Sequence, residues 1–275
     1  MTWWAIHVMP DPPRRDVIAQ WLVKATGAAI AEREDGSLAG AAPSGEAASR
    51  IAGELEQEFG LPASLAELPD ADWSIRWREG IEPRRIGRLL IVPTWRRDAS
   101  PEITTRVIID PENAFGSGEH GSTRGALALL DRHVQPGMRV LDLGSGSGIL
   151  SIAAVVLGAH SAIGVECDAD ANVVADRNAI ANGVSGRVSF LTGDAATFAP
   201  VAGPADLMLS NILRTVNVTL LPAIRQALAP RGIVIFAGME EQESELFRGP
   251  LREAGFSVVD EWRDAGWWSV AARLS

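Results

Sequence analysis

The sequence predicts an α/β protein in which a small N-terminal α+β unit precedes a larger domain built on a mostly parallel β-sheet. From residue 107 onward, short and nearly continuous apolar segments alternate with segments of helical periodicity. That alternation is typical of a parallel sheet whose two faces are covered by helices. A glycine-rich loop follows the strand predicted at 139–143 and leads directly into a helix, which favours a ligand site at that edge of the sheet.

Residues 1–68 are predicted to form the small unit, with the element order βαββαβ of a ferredoxin-like fold. Apolar residues alternate over 4–8, as they do in a strand, and Asp35-Gly36 is a strong hairpin signal. Ser44 is placed to cap the second helix and Gly60 to end it. Because this segment carries no cluster of catalytic side chains, we expect it to bind a partner rather than to perform chemistry.

A connector is predicted over 69–106, ahead of the larger domain at 107–275. Between residues 73 and 106, eight Arg stand against four acidic residues, in a chain whose net charge is −10. Two interpretations of this basic stretch stay open. The first is a solvated connector whose Arg stems pack on Trp faces. The second is a partner-facing hinge that touches RNA phosphate or an acidic protein surface.

The composition excludes several classes of protein. The absence of Tyr excludes a reductase that needs a Tyr acid, and the absence of G-K-[ST] excludes a Walker A nucleotide site. With Cys167 as the single cysteine, neither an intramolecular disulfide nor a Cys-cluster metal site is expected, and no metal site is predicted. The sequence has no apolar stretch of 18 residues and no secretory N-terminus, so a cytoplasmic protein without membrane contact is expected.

The glycine-rich loop runs Gly144-Ser145-Gly146-Ser147-Gly148, and its glycines let a ligand approach the backbone closely. A dinucleotide-binding fold has the spacing G-x-G-x-x-G. Here the third glycine comes one position early, which fits a ligand that has no pyrophosphate bridge. Glu166 ends the next predicted strand, 22 residues after Gly144, where a carboxylate can accept hydrogen bonds from both hydroxyls of a ribose.

Further candidates lie at the ends of later strands and upstream of the loop. Asp194 follows the third strand, where it can accept a hydrogen bond from an adenine amino group or cap a helix. Asn211 ends the fourth strand, where its side-chain carbonyl can accept a hydrogen bond from an amine or cap the next helix. Residues 115–123, rich in glycine and hydroxyl side chains, are predicted to form a flap. Within this flap, Thr123 is placed to cap the following helix, and His120 is either a base or ligand or a structural histidine.

Several segments together resemble the PrmA family of class I S-adenosylmethionine-dependent methyltransferases, which modify protein eleven, the stalk-base protein of the large ribosomal subunit. The segments that carry the resemblance are 72–77, 86–87, 93–95, 109–116, 146–150 and 210–213. The resemblance implies a ferredoxin-like recognition domain, a mobile linker, and a Rossmann-like catalytic domain with a mostly parallel seven-stranded sheet. It also implies S-adenosylmethionine as the cofactor, with contacts from Thr123, Gly144, Glu166 and Asn211. Gly146 and Asp194 complete the expected cofactor site.

The expected reaction is methyl transfer to lysine ε-amino and/or N-terminal α-amino groups of the stalk-base protein, with Asn211 orienting the amine. A contact between ribosomal RNA and residues 73–106 is part of this expectation. The alternative is the same chemistry on the lysines of a non-ribosomal protein, such as a flavoprotein subunit. The chain departs from the family pattern in its flap, where Ser117 and Ser122 replace threonines, and at Glu166, where Asp is commoner.

Overall fold

The computed structural model describes residues 3–26, 30–32, 36–68, 81–98, 103, 105–110, 112 and 114–275. The chain divides into two compact units, Met1–Gly80 and Ile81–Ser275, and each is described by itself. In the described part of the chain, no helix is both long and apolar enough to span a membrane.

The first unit is a four-stranded antiparallel sheet packed against two helices. Its elements are β1 (Trp3–Val8), α1 (Arg15–Thr26), β2 (Ala31–Glu32), β3 (Leu38–Ala42), α2 (Gly45–Phe59) and β4 (Ala63–Leu68). The strand order β2-β3-β1-β4 confirms the predicted ferredoxin-like unit. As predicted, the Ser44 hydroxyl caps α2 by accepting a hydrogen bond from the Ala47 N–H at 3.1 Å, and Gly60 ends α2 with a φ of 66°. Of the predicted hairpin turn, Asp35 lies outside the described residues.

The second unit contains the predicted seven-stranded, mostly parallel sheet. Its strands are β8 (Arg139–Leu143), β9 (Ser161–Glu166), β10 (Val188–Thr192), β11 (Ala205–Asn211), β12 (Leu228–Glu240), β13 (Phe256–Asp264) and β14 (Trp267–Leu274). The strand order is β10-β9-β8-β11-β12-β14-β13. β14 runs antiparallel to both β12 and β13, and the other pairs are parallel.

Helices cover both faces of this sheet. They are α3 (Gly121–His133), α4 (Ile149–Val156), α5 (Ala169–Ala181), α6 (Ala195–Ala202), α7 (Arg214–Ala227) and α8 (Ser244–Glu253). Two separate clusters of buried apolar side chains fill the space between the sheet and its helices. The sequence patterns did not predict α6 and α8, which contain Pro200 and Pro250 respectively.

A small three-stranded sheet precedes α3, in a stretch that was assigned to the connector. Its strands, in spatial order, are β5 (Arg84–Ile86), β6 (Leu89–Pro93) and β7 (Arg106–Ile109). Leu89, Ile91 and Val107 pack into the core of the second unit, so the predicted connector belongs to that unit from Ile81 onward. Because the stretch is rich in Pro and Arg, its short apolar strands were not recognised in the sequence.

Two asparagine side chains, Asn178 in α5 and Asn182 directly after it, form hydrogen bonds with the open edge of β7. Asn182 Oδ1 accepts a hydrogen bond from the Ile108 N–H at 2.7 Å, and Asn178 Oδ1 accepts one from the Asp110 N–H at 3.0 Å. The two side-chain amides thus satisfy backbone groups that an edge strand would otherwise leave unpaired. This pairing holds β7 and the residue after it against α5.

Candidate functional site

The predicted site residues meet in one cleft at the carboxyl ends of β8, β9 and β11. The cleft has a volume of about 620 Å³, and its lining includes Gly144, Gly146, Glu166, Asp194 and Asn211. Thr123, the remaining predicted contact, is not part of the lining. It is fully buried behind Asn211 and is bonded to it.

The glycine loop requires its glycines, because the backbone adopts positive φ angles of 72° at Gly144 and 51° at Gly146. A Cβ atom on Gly144 would lie 2.6 Å from the Ile212 side chain. One on Gly146 would lie 2.5 Å from the Phe115 carbonyl oxygen, closer than van der Waals contact allows. Only glycine therefore fits both the conformation and the space.

Glu166 is held firmly by backbone donors. Its Oε1 accepts hydrogen bonds from the N–H groups of Cys167 at 2.8 Å and Asp168 at 3.1 Å, and its Oε2 accepts one from Gly146 at 3.1 Å. A carboxylate offers about four acceptor positions. The arrangement therefore leaves an acceptor position at Oε2 open to a ribose hydroxyl, and acceptance of both hydroxyls stays a prediction. The N-cap of α5 is Asp168, so Glu166 does not cap that helix.

Asp194 caps a helix and also lines the cleft, so the contact with adenine stays a prediction. It caps α6, since its Oδ2 accepts hydrogen bonds from the Thr197 N–H at 2.9 Å and from the Thr197 hydroxyl at 2.8 Å. These bonds hold the pKa of the Asp194 carboxyl below its usual value. The same residue lines the cleft, next to Ala195 and Ala196. Helix capping and contact with a ligand are therefore compatible here.

Asn211 does not cap a helix, because the N-cap of α7 is Leu213. Its Nδ2 donates a hydrogen bond to the Thr123 Oγ1 at 3.3 Å. Its Oδ1 is buried and has no hydrogen-bond partner among the described residues. The expectation that Thr123 caps α3 was wrong, since the N-cap is His120 and Thr123 lies within the helix. An unsatisfied carbonyl oxygen at the cleft is what a ligand N–H group requires.

An aromatic wall, formed by Phe115, His120 and Trp267, lines another part of the cleft. The ring centroids are 5.2 Å apart for Phe115 and His120, and 4.2 Å apart for His120 and Trp267. Burial and the charge of Arg124 lower the pKa of His120, so its imidazole is neutral at pH 7. Nδ1 of that imidazole lies 2.8 Å from the Ser122 hydroxyl.

Sequence reasoning missed Trp267, although a signal for it exists. β14 runs antiparallel in a sheet that is otherwise mostly parallel, so it begins at the edge where the parallel strands end. Trp267, its first residue, pairs with Glu240 at the end of β12 and thus reaches the cleft. The sequence predicts strands over 257–262 and 267–274 with a turn at 264–266 between them, and placing that turn at the carboxyl edge of the sheet would have brought Trp267 to the cleft.

Comparison with known proteins identifies the family. A family model described as "Ribosomal protein L11 methyltransferase (PrmA)" matches residues 41–275. The chain belongs to the PrmA family. Among similar proteins, the ribosomal protein L11 methyltransferase of Pelotomaculum thermopropionicum is 38% identical over 77% of this chain and 68% of its own length. The one from Synechococcus sp. is 33% identical over 98% of this chain and 87% of its own length.

A crystal structure of a ribosomal protein L11 methylase from Lactobacillus delbrueckii subsp. bulgaricus is also similar. It aligns with a TM-score of 0.64 and 29% identity, covering 70% of this chain and 99% of that one. The predicted fold class, with its mostly parallel seven-stranded sheet, is confirmed. So is the prediction of an S-adenosylmethionine-dependent methyltransferase.

The cleft of this PrmA-family chain fits the cofactor in its chemistry. Glu166 offers a carboxylate to a ribose, and a glycine-rich backbone lies beside it. Val165, Ala195 and Ala196 offer apolar surface to an adenine. S-adenosylmethionine carries its methyl group on a sulfonium that is its own leaving group, so the protein has only to orient and desolvate the reactants.

Asp142 lies below the glycine loop and is completely buried. Burial raises the pKa of this carboxyl to about 7, against the opposing effect of hydrogen bonds from the Ser151 hydroxyl at 2.7 Å and the Ser151 N–H at 3.1 Å. The nearby charge of Glu166 adds to the increase. The strand β8, which leads into the glycine loop, therefore contains a carboxyl group whose pKa lies near neutral pH.

Proposed function

We propose that this enzyme transfers methyl groups from S-adenosylmethionine to lysine ε-amino and/or N-terminal α-amino groups of ribosomal protein L11, in the cytoplasm. One observation carries the proposal: Asn211, whose buried Oδ1 has no hydrogen-bond partner among the described residues, lines the same cleft as the backbone-held carboxylate of Glu166. The cleft thus offers an acceptor for an amine N–H and an acceptor for a ribose hydroxyl. The names of the relatives support the choice of substrate.

The amine must be neutral to attack a methyl group. A free lysine with a pKa of ~10.4 loses its proton at pH 7 at a cost of about 4.6 kcal/mol, whereas an α-amine near 8 costs about 1 kcal/mol. Both carboxylates in the cleft lining are already engaged, Glu166 by backbone N–H groups and Asp194 by the α6 cap. Among the described residues that line the cleft, an ammonium therefore finds no unengaged carboxylate to pair with. No strong base is required if the proton leaves to solvent.

We assign recognition of the ribosomal protein to residues 1–68 and catalysis to residues 107–275. Exposed apolar side chains on the first unit support a binding role: Met9 before α1, and Val17 and Val23 on it. Solvent-exposed apolar groups of this kind are available to a protein partner.

Contact with ribosomal RNA through residues 73–106 stays a proposal, and residues 73–80 lie outside the described residues. In the described part, Arg84 pairs with Glu119, Arg88 with Asp131 and Arg96 with Glu82, at 2.7–2.9 Å. These pairs partly neutralise the basic charge of the stretch. Any contact with phosphate therefore has to compete with them, which makes it secondary to recognition of the protein.

Mass spectrometry of ribosomal protein L11 from cells with and without this gene tests the proposal. We expect methylated amines in the first sample and unmodified amines at the same positions in the second. A parallel assay supplies labelled cofactor to purified enzyme with L11 or with a ribosome-free lysate. The alternative substrate, a flavoprotein subunit, receives no support from the comparisons. Label that enters only lysate proteins would favour it and overturn the choice of L11.

A further inference from the structure

We propose that Ser147 is a positioning residue that fastens the flap, residues 115–123, to the glycine loop and so fixes the Phe115 side of the aromatic wall. The role rests on the proposed methyl transfer, because the aromatic wall lines the cleft in which the amine would react.

Ser147 makes two hydrogen bonds to consecutive carbonyls of the flap. Its backbone N–H donates to the Phe115 carbonyl oxygen at 2.9 Å, and its hydroxyl donates to the Gly116 carbonyl oxygen at 2.7 Å. Ser147 is completely buried, so water does not compete for these bonds. Losing the hydroxyl would leave the Gly116 carbonyl without this buried donor.

The two segments approach each other closely enough to require glycine on both sides. Gly116 has a φ of 108°, and a Cβ atom there would lie 2.7 Å from the Ser147 hydroxyl oxygen. A Cβ atom on Gly146 would lie 2.5 Å from the Phe115 carbonyl oxygen. The flap therefore rests directly on the loop backbone, and the Ser147 side chain is the polar link across that contact.

Asn178 of α5 secures the other side of Ser147. Its Nδ2 donates hydrogen bonds to the carbonyl oxygens of Ser147 and of Asp110, each at 3.0 Å, and only 2% of Asn178 is exposed. The glycine loop, the residue after β7 and α5 are thus joined at one point. At the far end of the flap, Glu119 pairs with Arg84 at 2.9 Å, a half-exposed pair of a kind that contributes little, and the Glu119 carbonyl oxygen accepts a hydrogen bond from Arg124 Nη1.

The consequence of removing the hydroxyl should be specific to the flap. The N–H of Gly146 holds Glu166, and that bond does not involve the Ser147 side chain. Loss of the hydroxyl should therefore loosen Phe115, which is 55% exposed and lines the cleft, while the ribose carboxylate keeps its place. Binding of the protein substrate should suffer more than binding of the cofactor.

The test compares Ser147→Ala with Ser147→Cys, which keeps a weak donor, and with Ser151→Ala as the matched control. Ser151 is also buried and donates its hydroxyl at 2.7 Å, but to Asp142 rather than to the flap. Hydrogen exchange of flap peptides is measured by mass spectrometry. Affinity for S-adenosylhomocysteine is measured by calorimetry, and kcat and KM are measured with L11.

We expect Ser147→Ala to speed exchange in the flap about fivefold, and to lower kcat/KM for L11 about fivefold, mostly through KM, as the loss of one hydrogen bond predicts. Affinity for S-adenosylhomocysteine should change less than twofold, and Ser147→Cys should lie between the wild type and Ser147→Ala. Ser151→Ala should leave exchange in the flap unchanged.

Wild-type exchange in Ser147→Ala, or an equal increase in Ser151→Ala, would overturn the assignment. So would a loss of cofactor affinity as large as the loss of kcat/KM. The exchange measurement needs no protein substrate, so it decides the role of Ser147 in the flap even if wild-type enzyme proves inactive on L11. Inactivity of the wild-type enzyme on L11 would count against the proposed function alone.

Discussion

Replacing Glu166 with Ala should weaken the binding of S-adenosylhomocysteine by about 10- to 150-fold. Three backbone N–H groups fix the Glu166 carboxylate, and one acceptor position at Oε2 stays open for a ribose hydroxyl. A hydrogen bond to a charged group contributes about 1.5–3 kcal/mol, and each 1.36 kcal/mol corresponds to a factor of ten in affinity. The substitution also frees the Gly146 N–H, so the larger part of that range is expected.

Isothermal titration calorimetry measures the change, with Asp170→Asn as the control. Asp170 is an exposed carboxylate in the first turn of α5, and the substitution removes the same charge outside the cleft lining. The control should bind like the wild type, and thermal unfolding should verify that both variants are folded. The reasoning about the ribose would fail if Glu166→Ala bound within twofold of the wild type, or if Asp170→Asn lost as much affinity.

Three further changes test other parts of the molecule. Burial places the pKa of Asp142 near 7, so between pH 5 and 7 the folded protein keeps a proton that the unfolded chain has already lost. As the pH rises from 5 to 8, the folded protein gives up this proton, and the free energy of unfolding falls by roughly 2–3 kcal/mol because of this one group. Asp142→Asn should remove that part of the slope, which urea unfolding at the two pH values would detect or refute. Asn211→Ala should lower kcat on L11 at least tenfold with little change in cofactor affinity, and full activity would contradict its orienting role. Deleting residues 1–68 should preserve cofactor binding by calorimetry and abolish methylation of L11, and efficient methylation by the truncated enzyme would refute the division of labour.

The sequence predicted the second unit well where burial alone determines the pattern. The strands β8 and β11 are covered on both faces, so they read as apolar runs, and the observed bounds of β8 are the predicted 139–143. The helices α6 and α8 were not predicted, and each contains a proline, Pro200 and Pro250 respectively, a residue that disfavours a helix interior. Tertiary packing outweighs that local preference here.

The residues of the candidate site also differ in whether the sequence predicts them. Gly144, Glu166 and Asn211 were found because the carboxyl ends of neighbouring parallel strands must share one edge. The contact between Ser147 and Gly116 spans 31 positions, and the one between Asn178 and Asp110 spans 68. No local period or motif encodes contacts of such sequence separation. Side chains that support the site therefore emerge only from the three-dimensional structure.

The Asn211 amide shows how a buried group without a partner can indicate function. Leaving its Oδ1 unsatisfied costs about 1–3 kcal/mol, and an apolar residue of similar size would avoid that cost. The hydrogen bond from Nδ2 to Thr123 occupies the donor end of the amide, and Asn211 lines the cleft. A ligand that brings an N–H group to Oδ1 would recover the cost on binding, whereas one that lacks it would not. We therefore expect the cleft to favour a ligand that carries an amine over one that does not.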